Sequence, residues 1–254
     1  MMIGKKNKLD PNMTINVKEG NKTIPLSLAP RIKILGVTID EDLTWKHQVK
    51  QVRGRATNVI RNLARTSGIL PQKSRRILYD SLVAPHFSYA DVVWDGCLQA
   101  QQQELQRAHN FAARTITGAR KYDSATEALK KLGMVPLSKK RQIHQAVMAH
   151  KLINGAGPKE LCAVFKNVKT GLKLNQNNGN IASRLRSATT MMIQPKQHRT
   201  AKFERSPIHR MTKVWNSVSL ESKQIENNGQ FKKQVQREFT RAHWGPSFSL
   251  SRPQ

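Results

Sequence analysis

Asp40-Glu41-Asp42 forms an acidic cluster. Its carboxylates could hold a divalent cation. The cluster also stands where a strand pattern gives way to a helix pattern. There it supplies a turn and the negative charge that a helix N-terminus favours, and this is the reading adopted. Tyr89-Ala90-Asp91 places an aspartate two residues after a tyrosine. Two-metal phosphoryl transfer needs several carboxylates around two cations. Here Val92 follows, and the segment sits between helical patterns, so it is rejected as a catalytic site. His144 and His150 are six apart and do not make a zinc pair, and Cys97 and Cys162 have no metal-ligand spacing. A Ser-His-Asp order, a P-loop and a Gly-x-Gly-x-x-Gly run are all missing. The expectation is no catalytic residue, no metal site and no cofactor.

The residues with a task are cationic. The 254-residue chain has 44 Lys and Arg against 16 Asp and Glu, a net charge of +28. That surplus attracts polyanions. The interval from Asp42 to Asp80 contains no acid. It holds Lys46, Lys50, Arg53, Arg55, Arg61, Arg65, Lys73, Arg75 and Arg76. On a helical wheel Lys46, Lys50, Arg53, Arg61 and Arg65 gather opposite and beside the apolar stripe, and Arg55 lies off it. A solvated helix normally mixes signs for i,i+4 pairing. One sign along one face suits a phosphate backbone, where each neutralised phosphate releases counterions. Such contacts position a protein without reading sequence. The candidate nucleic-acid contacts are therefore Lys46, Lys50, Arg53, Arg61, Arg65, Lys73, Arg75 and Arg76. Lys130–Lys159 and Leu161–Phe203 are also acid-free. Trp45, Tyr79, Phe87, Tyr89, Trp94, Trp215 and Trp244 could stack on bases, but most stand at core spacing and are assigned to packing.

The elements that position these residues follow from periodicity. Residues 12–39 read as β. Met13–Val17 and Thr23–Leu26 flank a Glu19-Gly20-Asn21 turn, and Ile32–Ile39 alternates as one further strand, as if at the edge of a larger sheet. Trp45, Val49, Val52, Ala56, Val59 or Ile60, and Leu63 then recur at helical spacing, with Thr44 as expected N-cap. A second helix runs from Gln72 to about Val83, where Pro85 interrupts it. Further helices are expected over Gln99–Thr117, Ser124–Leu132 and Ser138–Asn154, and from Asn228 or Gly229, with Phe231, Val235 and Phe239 four apart. Asn175–Asn180 lies in a polar, turn-rich stretch without periodicity. The expected fold class is mainly α with a small N-terminal antiparallel β segment, the helices forming a bundle. No run of about 18 apolar residues exists, so no membrane span is expected. The two unpaired-looking cysteines fit an intracellular, reducing compartment.

A set of motifs resembles one family. Ile34-Leu35-Gly36-Val37-Thr38-Ile39-Asp40 followed by Leu43-Thr44-Trp45 resembles a signature of the non-LTR retrotransposon reverse transcriptases, of the LINE or jockey-like kind. Leu78-Tyr79, Ser81-Leu82-Val83, Pro85, Tyr89-Ala90 and Val93-Trp94 follow in the family's order. So do Gln106-Arg107-Ala108, Ala113-Arg114, Ile116-Thr117-Gly118 and Leu132-Gly133-Met134-Val135-Pro136-Leu137. Trp215-Asn216-Ser217-Val218 and Phe231-Lys232-Lys233 complete it. The resemblance implies that 1–44 is the end of a polymerase palm, with Met1–Gly4 as a palm strand and a primer-grip-like loop at Leu35 and Gly36. It implies a thumb-like helical domain over 45–165, a basic linker over 166–200 and a C-terminal helical segment with an irregular tail over 201–254. It implies that the fingers and the catalytic aspartates, with their Mg2+, belong to sequence upstream of Met1. The chain would then bind RNA, RNA–DNA or DNA duplex as a truncated copy or part of a longer product, and would not polymerise alone. The alternative is a basic nucleic-acid-binding protein or a degenerate fragment without selected activity.

Overall fold

The computed structural model describes residues 15–19, 22–26, 29–165, 191–193 and 199–245. It is mainly α-helical with a small antiparallel β portion at the N-terminal end. Strands β1 (Ile15–Glu19) and β2 (Lys22–Leu26) form one hairpin, with Ile15 opposite Leu26. Strands β3 (Arg31–Ile34) and β4 (Val37–Asp40) form a second. Ile32–Ile39 is therefore not one strand. It folds back at Leu35-Gly36, both at positive φ (46° and 81°), as a two-residue hairpin turn with such angles requires. The two hairpins are separate sheets among the described residues.

Helix α1 (Lys46–Thr66) buries Val49, Val52, Ala56, Ile60 and Leu63, the predicted stripe. Its start differs from expectation. Trp45 turns through a left-handed conformation, and Thr44 provides no side-chain cap. Asp40 does the work instead. One carboxylate oxygen accepts from Thr44 N at 2.8 Å and the other from Trp45 N at 2.9 Å. Gln48 Oε1 accepts from Thr38 N at 2.9 Å, so β4 and α1 are tied at two points.

Helix α2 (Gln72–Leu78) passes through a widened π-type turn, Tyr79–Val83, into α3 (Ala84–Ser88). Pro85 does not stop the helical path. Its ring would clash with a carbonyl four residues back in a regular helix. The wider turn, with Ala84 N donating to Tyr79 O, changes that spacing. Short α4 (Asp91–Trp94) leads to α5 (Gln99–Thr117), which ends at left-handed Gly118. Then come α6 (Ala125–Lys131), capped by Ser124, α7 (Leu137–Ile153) and α8 (Lys159–Phe165). The C-terminal part has α9 (Ala201–Glu204), α10 (Pro207–Ser217), α11 (Leu220–Lys223) and α12 (Asn228–Trp244). Asn227 caps α12, and Phe231, Val235 and Phe239 are buried as read, together with Thr240.

Two apolar cores result. One runs from Val37 through α1, α3 and α5 to Leu137. The other joins the rest of α7, from Ile143, and α8 to α10 and α12. Helix α7 thus supplies both. Most of the expected linker, 166–200, lies outside the described residues. Of its described part, Met191 O accepts from Trp215 Nε1, and Ile193 exchanges two bonds with the Asn216 amide, all at 2.9 Å. Cys97 and Cys162 are free and buried, and burial pushes the Cys97 thiol up to about 11.

Candidate nucleic-acid interface

Burial of one side of α1 leaves the other side to solvent, and the cations are there. Lys46, Lys50, Arg61 and Arg65 are exposed and join no ion pair among the described residues. Arg53 is exposed too, but pairs at 3.4 Å with Glu104 of α5. A half-exposed pair of this kind contributes little to stability and exchanges easily with a phosphate. Gly54 lies one turn from Lys50 and two from Arg61 on the same side. Nothing lies within 4 Å of where its Cβ would be, so the backbone is bare between cations.

Beyond α1 the predicted contacts divide. Lys73 is exposed. Arg75 donates to Thr115 O at 2.9 Å, fastening α2 to α5. Arg76 donates to Leu132 O and to the Asp80 carboxylate, each at 2.8 Å. Both guanidinium groups thus serve the fold. The Arg76–Asp80 pair has helical i,i+4 spacing, but the sequence carries no signal for the other two acceptors, which lie 40 and 56 residues away.

The turn at Leu35 and Gly36 stands beside α1. Leu35 is 86% exposed, an apolar side chain offered to solvent at a hairpin tip. Its carbonyl accepts a 2.6 Å hydrogen bond from Tyr89 Oη. A Cβ on Gly36 would come within 3.6 Å of the Tyr89 ring. Tyr89 is thus a brace for the turn, while Asp91 is buried and bonded at 2.5 Å to His144 Nδ1. Between turn and helix lies a cleft of about 360 Å³ whose walls include Gln48, Arg55, His86 and Tyr89. Arg55, off the basic stripe by helical angle, is the residue the sequence reading passed over. The hairpin fold-back brings Leu35 and Gly36 to it.

Of the seven aromatics weighed for stacking, Trp45, Tyr79, Phe87, Trp94 and Trp215 are buried in the cores. Tyr89 and Trp244 remain accessible, and each lines a cleft. Among the described residues no group of three His, Cys, Asp or Glu side chains could hold a metal ion. Both Asp40 oxygens are engaged by backbone N–H groups. No described helix is long and apolar enough to cross a membrane. Comparison with protein-family models, with curated proteins and with solved structures finds no match.

Proposed function

We propose that the chain is the thumb side of a non-LTR retrotransposon reverse transcriptase, holding a template–primer duplex by its phosphate backbone and carrying no catalytic aspartates of its own. The observation that carries this reading is the acid-free outer face of α1, with Lys46, Lys50, Arg61 and Arg65 unpaired among the described residues, tied through Asp40 and Gln48 to the hairpin with the exposed Leu35 tip. The ordered motifs quoted above support it independently. In this reading Arg53 releases Glu104 to join the phosphate track, and Leu35, Gly36 and Arg55 face the primer strand. Catalysis, and the Mg2+ it needs, belongs to a fingers–palm module outside this chain.

A filter-binding salt titration with an RNA–DNA duplex tests it. Five phosphate contacts give a slope of log K against log salt of roughly −4 to −5. Lys50→Glu with Arg61→Glu is expected to remove most of the low-salt affinity. A slope near zero, or a charge-reversed chain that binds like the parent, overturns the proposal.

A further inference from the structure

Of the six amide side chains on helix α5, five, Gln99, Gln102, Gln103, Gln106 and Asn110, recur at three- and four-residue intervals, and so lie on one face. Glu104, which meets α1, is on another. The amide face lines a cleft of about 420 Å³. Arg141 of α7 and the ring pair His243–Trp244, centroids 4.3 Å apart at the end of α12, line the same cleft. The volume is in the range of ligand pockets, about 300–1,000 Å³.

Two of the amides build the site. Gln106 accepts from Leu137 N at 2.9 Å and donates to Asn110 Oδ1 at 2.7 Å. Gln102 donates to the Cys97 carbonyl at 3.1 Å. Other groups are left over. Gln99, Gln103 and the Asn110 amino group make no hydrogen bond among the described residues. Arg141 is only 2% exposed and spends Nη1 on Asp95, while its Nε and Nη2 make no hydrogen bond among the described residues. The lining contains no Asp or Glu.

We propose that this cleft takes an unpaired nucleobase of a single-stranded nucleic acid, stacked against Trp244 and hydrogen-bonded along its edge by Gln99, Gln103 and Asn110. Amides present donor and acceptor together, as base edges do, and pair with them in two-point contacts. An aromatic face offers stacking to any base. The +28 chain draws in the polyanion that delivers the base. Lys139 Nζ lies 5.8 Å from the centroid of the Phe239 ring, one turn before His243 on α12, and offers a cation to the adjoining phosphate. The cleft adds a base-reading function to a chain whose α1 face touches only backbone, and it shares with the thumb reading only the premise that nucleic acid is bound.

The test uses uncharged nucleosides, which the basic face does not attract, added to the full chain while tryptophan fluorescence is followed. At least one of the four is expected to quench, and Trp244→Phe to abolish the quench. Gln99→Ala with Gln103→Ala, both at exposed positions, should weaken binding of the matching single-stranded homopolymer about tenfold while RNA–DNA duplex affinity is unchanged. Failure of every nucleoside to quench, or an amide variant that binds the matching homopolymer as tightly as the parent does, overturns the proposal. The Lys50→Glu, Arg61→Glu chain separates the two readings. Lost duplex binding with the quench retained upholds both; duplex binding retained there sinks the thumb reading alone, and loss of the quench sinks this one.

Discussion

His109 shows how a buried polar residue is held. Its Nε2 lies 3.1 Å from Val135 O, which can only accept, so Nε2 carries the hydrogen and Nδ1 accepts from Tyr79 Oη at 2.8 Å. The neutral ring is fully satisfied. Burial, as the largest cause, lowers its pKa to about 4. The unfolded chain binds a proton near pH 6.5 that the folded chain refuses until about pH 4. The contribution is therefore complete above pH 6.5 and lost as pH falls through that window. Urea midpoints should decline from pH 7 to pH 4.5, and His109→Gln should flatten this part of the profile; equal slopes in the two chains would disprove the assignment. Gly54 poses the opposite question, why a side chain is missing. An exposed helix-interior glycine costs about 1 kcal/mol against alanine. Gly54→Ala is expected to raise thermal stability by about that amount, because the methyl meets nothing. It should also weaken duplex binding severalfold, by holding the phosphate chain away from the helix. A more stable variant with undiminished binding would show that no ligand approaches there.

At the scale of elements, α1 and the β3–β4 hairpin work as a unit because Asp40 ends one and begins the other. Asp40→Ala leaves two backbone N–H groups without their acceptor and removes a cap, a loss of about 1–2 kcal/mol. Denaturant unfolding measures it; a change within error would mean that the cap is dispensable. Helices were the legible part of this chain. The α5 boundaries, the Ser124 start of α6 and the buried faces of α1 and α12 follow from spacing alone. The hairpin left a signal that reading Ile32–Ile39 as one strand ignored. With Ile34 paired to Val37, the apolar alternation must shift by one residue across Leu35-Gly36, and it does, from Ile32 and Ile34 to Val37 and Ile39. The Asp40 cap was half legible: its charge at a helix start was foreseen, its displacement of Thr44 was not. The basic face could be read because it lies within one helix. The Arg75–Thr115 and Arg76–Leu132 bonds and the amide cleft could not, because they join groups 40 to more than 100 residues apart.

For the whole molecule the question is what makes two cores act as one. Helix α7 runs through both, and one carboxylate binds them at its side. Buried Asp95 accepts from Arg141 at 3.1 Å, from Gln145 at 2.7 Å and from Arg210 of α10 at 2.5 Å. Arg141 also lies over the Trp94 ring, 4.9 Å from its centroid. Next to this hub the Arg205 carbonyl presses so close to Gly96 that a Cβ there would come within 2.2 Å of it. A buried ion pair adds little net stability over apolar packing, but removing one partner strands the other charges, at about 3–5 kcal/mol. The parent chain should therefore unfold in a single cooperative transition. Asp95→Asn keeps the volume but loses the charge that two guanidinium groups share, and Gly96→Ala forces the same contact apart by sterics alone. Both are expected to split the transition, with α9–α12 becoming sensitive to protease before α1 and α5. Circular dichroism melts paired with limited proteolysis would reveal this. If both variants melt in one step at the parent's midpoint, the hub does not couple the cores, and α7 alone transmits their cooperativity.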